Sequence, residues 1–421
     1  MDKIKENSRS SSGRLTKNVS ALTIIQISNY IVPLLVARHL ISVLGLEFYG
    51  VLAFALGLGT FFMVIADVGF SIAGSENISR HHNDNIFISK YVSAAVLIKA
   101  LFAFLAALII LLYAFNTAKY AEYFELFLLV ILSSFIQAFI PTWFFIGKGE
   151  ASQLAYVSII GKAIYVLLIY IMIVDQSDIM SVPILISCSA LFTLSVTWWM
   201  IRKKGIIFTN PTRKFIKNIF VETLPYYYSR LGVATYMNIG LIFLGLMVNP
   251  VIVGAYAIAE QLYKVMQSAF TPVTQAIFPY MVREKDLNMF SKIALGVISL
   301  AIIFSVIGYF VSPVLVPLIF GDEAIASLPI LNIFFIAIVA HIITVFLGFP
   351  LFAILGRVNL ANITISVGPI FYIIGLIIFY MLDLFDPIYL ALLMVISELA
   401  ILTFRAKVAS PLIINFYRKK V

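Results

Sequence analysis

Apolar residues along this chain run on in long blocks, separated by brief polar punctuation, instead of alternating at strand or single-face helix intervals. Blocks long enough to cross about 30 Å of hydrocarbon as a helix fall near residues 18–42, 48–72, 88–115, 123–146, 152–174 and 180–201. Six more fall near 217–247, 251–281, 290–316, 325–355, 359–382 and 387–405. The pattern predicts an all-α polytopic membrane protein with twelve transmembrane helices. Its expected parts are a cytoplasmic N-terminal segment (1–17), an N-terminal six-helix bundle (18–201), a cytoplasmic linker (202–216), a C-terminal six-helix bundle (217–405) and a basic cytoplasmic tail (406–421). The first apolar block is too long for the hydrophobic core of a cleavable signal, so it is expected to be retained as a span. The Ser-rich head before it is expected to be disordered or to lie on the cytoplasmic membrane surface.

Composition agrees with the block pattern. The chain is 62% hydrophobic and 12% charged, with a mean hydropathy of +1.05, far from the roughly 25% charged of a soluble domain. A formal charge of +9 would suggest nucleic acid in a soluble protein, but here the basic residues gather in alternate loops. Twenty-three of the 29 Lys and Arg fall in segments on one side, against Lys119 alone on the other, where Glu47, Asp175, Asp178, Asp322, Glu323, Asp383 and Asp386 lie. That asymmetry places both termini in the cytoplasm. Cys188 has no partner for a disulfide and reads as a small packing residue in an apolar run.

Five basic residues remain, and these carry the candidate chemistry: Arg38, Lys99, Lys162, Arg230 and Lys264. Four are expected near mid-membrane, whereas Arg38 lies near the outer end of its span, where it can snorkel. A charge at the bilayer centre costs at least about 2.5–3.5 kcal/mol, so such groups face protein, water or a charged substrate. Acids inside the spans are Asp67, Glu222, Glu260 and Glu398. Glu260 and Lys264 have the spacing of an intrahelical ion pair, and Glu222 and Arg230, eight apart, share a helix face and could bridge. Each acid is equally a candidate for coupling transport to an ion gradient, Glu260 foremost because its protonation would free Lys264. Pro225, Pro272 and Pro279 are expected to kink the seventh and eighth spans.

An internal repeat is visible. Leu46 to Ala55 (LEFYGVLAFA) opens the second span and Pro250 to Ala259 (PVIVGAYAIA) the eighth, aligning Gly50 with Gly254; Gly147-Lys148 after the fourth span matches Gly356-Arg357 after the tenth. With six spans per repeat the two halves are parallel, related by an axis along the membrane normal.

These residues carry a family resemblance. Asn18 through Gln26, Asn29-Tyr30, Pro33-Leu34-Leu35, the Leu44-Gly45-x-Glu47-x-Tyr49-Gly50-x-x-Ala53-Phe54-Ala55 run and Asp67-x-Gly69-Phe70 resemble the first half of Wzx-type O-antigen flippases. That family belongs to the multidrug/oligosaccharidyl-lipid/polysaccharide exporter superfamily. Trp143-Phe144-Phe145-x-Gly147-x-x-Glu150 is similar to its fourth-span closing segment. Leu224-Pro225, Ser229-Arg230, Leu244-Gly245, Val253-Gly254-x-Tyr256, Phe278-Pro279-Tyr280 and Phe320-Gly321-Asp322-Glu323 are similar to its second half. The resemblance implies two six-helix bundles around a central cavity, in a bacterial inner membrane. It implies transport of an undecaprenyl-diphosphate-linked glycan from the cytoplasmic to the periplasmic leaflet, with a polysaccharide polymerase and a chain-length regulator as partners. Arg230, Lys264, Lys99, Lys162 and Arg38 are then candidates for the anionic diphosphate, with Tyr226 and Tyr236 as candidates to pack on sugar rings.

Other classes fit less well. A multidrug cation exporter of the same superfamily would favour an acidic or aromatic cavity, and a peptidoglycan lipid-precursor flippase typically has two further spans. An enzyme would display larger hydrophilic loops or a carboxylate cluster. No phosphate-binding glycine loop occurs, His81-His82 lacks partners for a metal, and no cofactor is expected. Cysteines introduced at Asp175 and Asp386 should react with an impermeant thiol reagent added from the periplasm, while those at Lys203 and Lys285 should not. The reverse labelling pattern would overturn the orientation.

Overall fold

The computed structural model describes residues 2–418, with side chains described from Asn18 onward apart from a few positions, most of them between 271 and 280. Fifteen α-helices follow one another: α1 (Asp2–Asp67), α2 (Phe70–Arg80), α3 (Asn85–Asn116), α4 (Phe124–Ala138), α5 (Thr142–Gly147), α6 (Ala151–Met172), α7 (Ser181–Lys203), α8 (Arg213–Met247), α9 (Pro250–Glu284), α10 (Leu287–Phe320), α11 (Leu328–Phe346), α12 (Phe349–Ile354), α13 (Asn359–Ile365), α14 (Val367–Met381) and α15 (Pro387–Arg418). The protein is all-α among the described residues. Nine helical stretches there are long and apolar enough to cross a membrane, or ten when the bent pair Arg213–Gly232 and Ala234–Met247 is taken as one span. The first of these, Ser20–Arg80, covers two predicted spans at once. It is interrupted at Gly45, whose φ of 80° and ψ of 165° lie outside the helical region. Large apolar side chains stay outward on these helices, Phe310 at 73% exposure and Phe104 at 64%, as lipid-facing surface requires.

Two compact units form, one from Met1–Val36 with Phe54–Ala234, the other from Ala37–Ala53 with Thr235–Val421. In the first, α7 packs on α4 and α6, and α2 on α5. In the second, α11 is central, packing against α9, α10 and α15. The linker residues 204–212 lie along α3, with the Ile207 and Thr209 amides donating to the Ser89 and Ser93 hydroxyls at 3.2 and 2.9 Å.

The repeat has a structural counterpart. The predicted fourth and tenth spans are assembled alike: a 3-10 turn (Ala118–Tyr123 or Asp322–Ser327), a long helix (α4 or α11), a break, a short helix (α5 or α12) and a glycine at positive φ. In each, the residue after that glycine donates back five residues, Glu150 to Phe145 O and Arg357 to Phe352 O, both at 2.8 Å. This is the closing bond of a Schellman motif, which needs the left-handed residue that glycine supplies without strain. The true equivalent of Gly356 (φ 68°) is therefore Gly149 (φ 69°), two residues past the Gly147 that the sequence suggested.

Gly50 and Gly254 meet the partner helix reciprocally. A Cβ at Gly254 would stand 2.6 Å from the carbonyl oxygen of Leu46, and one at Gly50 would collide with the carbonyl of Pro250. Each glycine thus faces the first turn of the other repeat's helix, the close backbone approach that small residues permit between membrane helices.

Several expectations change. Arg405, assigned to the end of the last span and the cytoplasmic charge count, is buried at 2% exposure, because α15 continues to Arg418. Its guanidinium donates to the carbonyl oxygens of Thr344 and Ala361 and to the Thr364 hydroxyl. The Ser-rich head continues α1 as helix from Asp2, and its basic side chains lie outside the described ones. Cys188 is exposed, not packed inside. The bend in α8 falls beside Gly232 and not at Pro225. The Pro272 and Pro279 side chains lie outside the described ones. Gly50→Leu or Gly254→Leu should lower the melting temperature of the detergent-solubilised protein, at a cost of roughly 1–3 kcal/mol for overpacking. Gly296→Leu, where a Cβ meets nothing within 4 Å, should leave it unchanged.

Candidate functional site

Charge in the first unit is organised by Asp67. The chain breaks at Val68 and Gly69, both at positive φ. Gly69 passes so near α8 that a Cβ there would stand 2.8 Å from the Tyr227 amide nitrogen. Phe70 wedges beside Tyr91 and Trp143, with ring centroids 6.0 and 6.2 Å away, and fixes the start of α2 against α3 and α5. Asp67 is thereby held between α3 and α8. It accepts from the Ser71 hydroxyl at 2.7 Å and amide at 3.2 Å, and pairs with Lys99 Nζ at 3.5 Å and Arg230 Nε at 3.6 Å.

The two cations are not equivalent. The Lys99 side chain is 5% exposed, whereas that of Arg230 is 47% exposed. One carboxylate against two cations leaves a surplus positive charge, and it sits on the exposed partner. Asp67 approaches Arg230 most closely at Nε, and no other described acid pairs with this guanidinium, so the fork suited to a carboxylate or phosphate is open to a further partner. The bridge from Arg230 to Glu222 that their spacing allowed does not form. Glu222 accepts instead from Asn77 Nδ2 at 2.9 Å. Tyr226 donates its hydroxyl to Glu76 at 2.7 Å, and Glu76 also pairs with Arg80. Lys162, on α6, donates to Ser28 Oγ and Asn29 Oδ1, both at 2.6 Å, and has no acidic partner among the described residues. Arg38 is exposed on α1.

In the second unit the predicted pair forms: Lys264 Nζ stands 2.8 Å from Glu260 Oε2 and 3.4 Å from Asn238 Oδ1. Both line a small pocket with Tyr236, Tyr256, Tyr263 and Tyr372. Tyr236 is buried at 9% exposure, its ring against Tyr372 with centroids 5.5 Å apart. Its hydroxyl donates to Glu398 Oε1 at 3.2 Å. His341 was missed by sequence reasoning. It lies 2.9 Å from the same oxygen through Nδ1, and the available signal was a single imidazole in the otherwise apolar run of α11. No group of three or more His, Cys, Asp or Glu residues suited to a metal occurs among the described residues.

Comparison with known proteins places this chain. A family profile described as "Polysaccharide biosynthesis protein" matches residues 15–285, more than half of the chain. The chain belongs to that family. A curated relative of this family member, named "Putative O-antigen transporter" in Escherichia coli (strain K12), is 25% identical over 276 residues, 63% of this chain and 64% of that protein. The match thus spans slightly less than two thirds of that relative's length. Among solved structures, "Lipid II flippase MurJ, inward closed conformation" superposes with a TM-score of 0.71 at 12% identity, over 92% of this chain and 86% of that one. An inward-facing multidrug resistance MATE family transporter of the MOP superfamily superposes with a TM-score of 0.65 at 14% identity, over 93% and 98%. At such identities the likeness is one of fold, and the fold is common to a lipid-precursor flippase and a drug transporter. The names are those of transporters and flippases, not of catalytic enzymes.

Asp67→Asn should destabilise the solubilised protein by about 3–5 kcal/mol, because it leaves Lys99 buried without its counter-charge. Adding Lys99→Met should recover most of the loss in a thermal unfolding measurement. An unchanged melting temperature in Asp67→Asn would mean that the cluster is not structural.

Proposed function

We propose that this chain is a flippase that carries undecaprenyl-diphosphate-linked O-antigen or related polysaccharide repeat units from the cytoplasmic to the periplasmic leaflet by alternating access. It would lie in a bacterial inner membrane with twelve spans and both termini in the cytoplasm. The observation that carries the proposal is the open guanidinium of Arg230. A surplus cation whose fork is open to a further partner, held beside a buried ion pair, suits a diphosphate and not a cationic drug. Lys162, matched only by neutral oxygens, adds a second cation of the same kind. Membership of a polysaccharide biosynthesis family and the O-antigen name of the E. coli relative support the glycan as cargo.

Lys264, Lys99, Arg38, Tyr226 and Tyr236 complete the proposed substrate set in graded ways. Lys264 becomes available only when Glu260 is protonated. Lys99 acts through Asp67, which it helps to hold. Coupling to an ion gradient belongs to the proposal, with Glu260, Asp67, Glu222 and Glu398 as the carboxylates concerned. A polymerase and a chain-length regulator of the same route are its proposed partners.

Arg230→Lys should keep part of the surface glycan, since the charge survives without the fork. Arg230→Gln and Arg230→Ala should abolish it while inserted protein stays near its normal amount. A purely structural arginine would behave otherwise: Arg230→Gln would reduce abundance, and Arg230→Gln combined with Asp67→Asn and Lys99→Met, which removes all three charges of the cluster, would restore both protein and glycan. Restoration in that triple variant, measured by immunoblot and surface-glycan staining together, would sink the substrate-binding role.

A further inference from the structure

Three of the four carboxylates well inside the predicted spans face a lysine, an arginine or an amide. Asp67 has Lys99 and Arg230, Glu260 has Lys264, and Glu222 has the Asn77 amide. Glu398, on α15, is different. It is 1% exposed, and no Lys or Arg among the described residues lies within ion-pairing distance. Its Oε1 receives both His341 Nδ1 from α11 and the Tyr236 hydroxyl from α8, while its Oε2 is buried with no partner among the described residues.

The neighbours on every packed element point the same way. Tyr263 faces the carboxylate from α9, and Tyr236 from α8 is backed by Tyr372 of α14. Arg405, seven residues further along α15, spends its guanidinium on Thr344 O, Ala361 O and Thr364 Oγ1. Those neutral oxygens do not discharge the guanidinium, so its field still reaches Glu398; it forms no direct pair with the carboxylate, however, and a buried carboxylate without a directly paired counter-charge is disfavoured. One proton resolves this, residing on His341 to give an ion pair or on Glu398 to give a neutral pair. Imidazole is the side chain whose ordinary pKa suits such an exchange.

The pair also has an entry and an exit. His341 is one quarter exposed and lines a small pocket with Gln267, Phe270, Thr274 and Val345. Tyr236 touches Glu398 through its hydroxyl and lines the separate cavity that holds Glu260 and Lys264. We infer that His341 and Glu398 form the proton-loading site of the second unit, taking a proton from the His341 cavity and reporting its presence through Tyr236 to the Glu260–Lys264 cavity. The step is a proton transfer from hydronium to the imidazole, with water as the only other product. It rests on the ion-coupled transport proposed above and selects which of its carboxylates takes the proton.

A hydrophobic carbodiimide, which modifies protonated buried carboxyls, tests the site on the purified protein without any glycan substrate. Modification of Glu398, mapped by peptide mass spectrometry, should rise as pH falls and vanish in Glu398→Gln. In His341→Gln its midpoint should move up by about one pH unit, because the imidazolium that favoured the ionised carboxylate is gone. Tyr236→Phe should move it the same way by less, and a monodisperse elution profile confirms that each variant is folded. Labelling that ignores pH, or a midpoint that His341→Gln leaves in place, would overturn the site. In cells, Glu398→Gln should lose surface glycan at normal protein abundance, and unchanged glycan would overturn its link to transport. Failure of the flippase proposal itself would register separately, as unchanged surface glycan when the whole chain is deleted.

Discussion

Burying a charge among apolar helices is tolerated only if another group compensates it, and Asp67 is where this chain meets that demand most fully. One carboxylate serves Lys99 on α3 and Arg230 on α8, and it can do so only because the backbone turns at Val68 and Gly69 and presses against Tyr227. Local backbone conformation, packing and electrostatics are inseparable here. The Phe70–Tyr91–Trp143 cluster holds the turn, the turn holds the carboxylate, and the carboxylate leaves one cation satisfied and the other with its fork open. An arginine in that condition is held in place without being neutralised, which is what reversible binding of an anionic headgroup needs.

The second unit solves the same problem with titratable partners. Glu260 and Lys264 neutralise each other within one helix turn, while Glu398 relies on His341 and a tyrosine hydroxyl. The first arrangement sets a lysine against its carboxylate and the second an imidazole, a difference expected to divide the labour between holding a charge and moving a proton. Arg405 belongs to a third category. Its guanidinium satisfies carbonyl groups on α11 and α13 near the break before α12, where interrupted helices leave acceptors without intrahelical donors.

Much of the architecture was legible in the sequence because the bilayer imposes a length and a polarity on every crossing element. The long apolar blocks, the helical class and the family were all readable from residue order. So was the Glu260–Lys264 pair, since a spacing of four residues in a helix leaves little to tertiary structure. The Gly50 and Gly254 repeat was visible as a pattern, and its reason appears in the reciprocal contacts with Pro250 and Leu46. Gly147, by contrast, was paired with Gly356 by local likeness, whereas the positive φ belongs to Gly149. A backbone dihedral is not written in a dipeptide.

What only the tertiary structure decided is which charges meet across helices. Arg230 lies eight residues from Glu222 and far along the chain from Asp67, yet it pairs with Asp67 because the break at Gly69 brings that carboxylate to α8. Arg405 read as the cytoplasmic end of the last span because the apolar run fades there, while α15 continues and buries it. His341 gave only the signal of one imidazole in an apolar helix, and its meaning depended on Glu398 standing 2.9 Å away on another. Sequence determines the membrane fold through the hydrocarbon's uniform demand on each helix; partner choice among buried charges is a property of three-dimensional proximity.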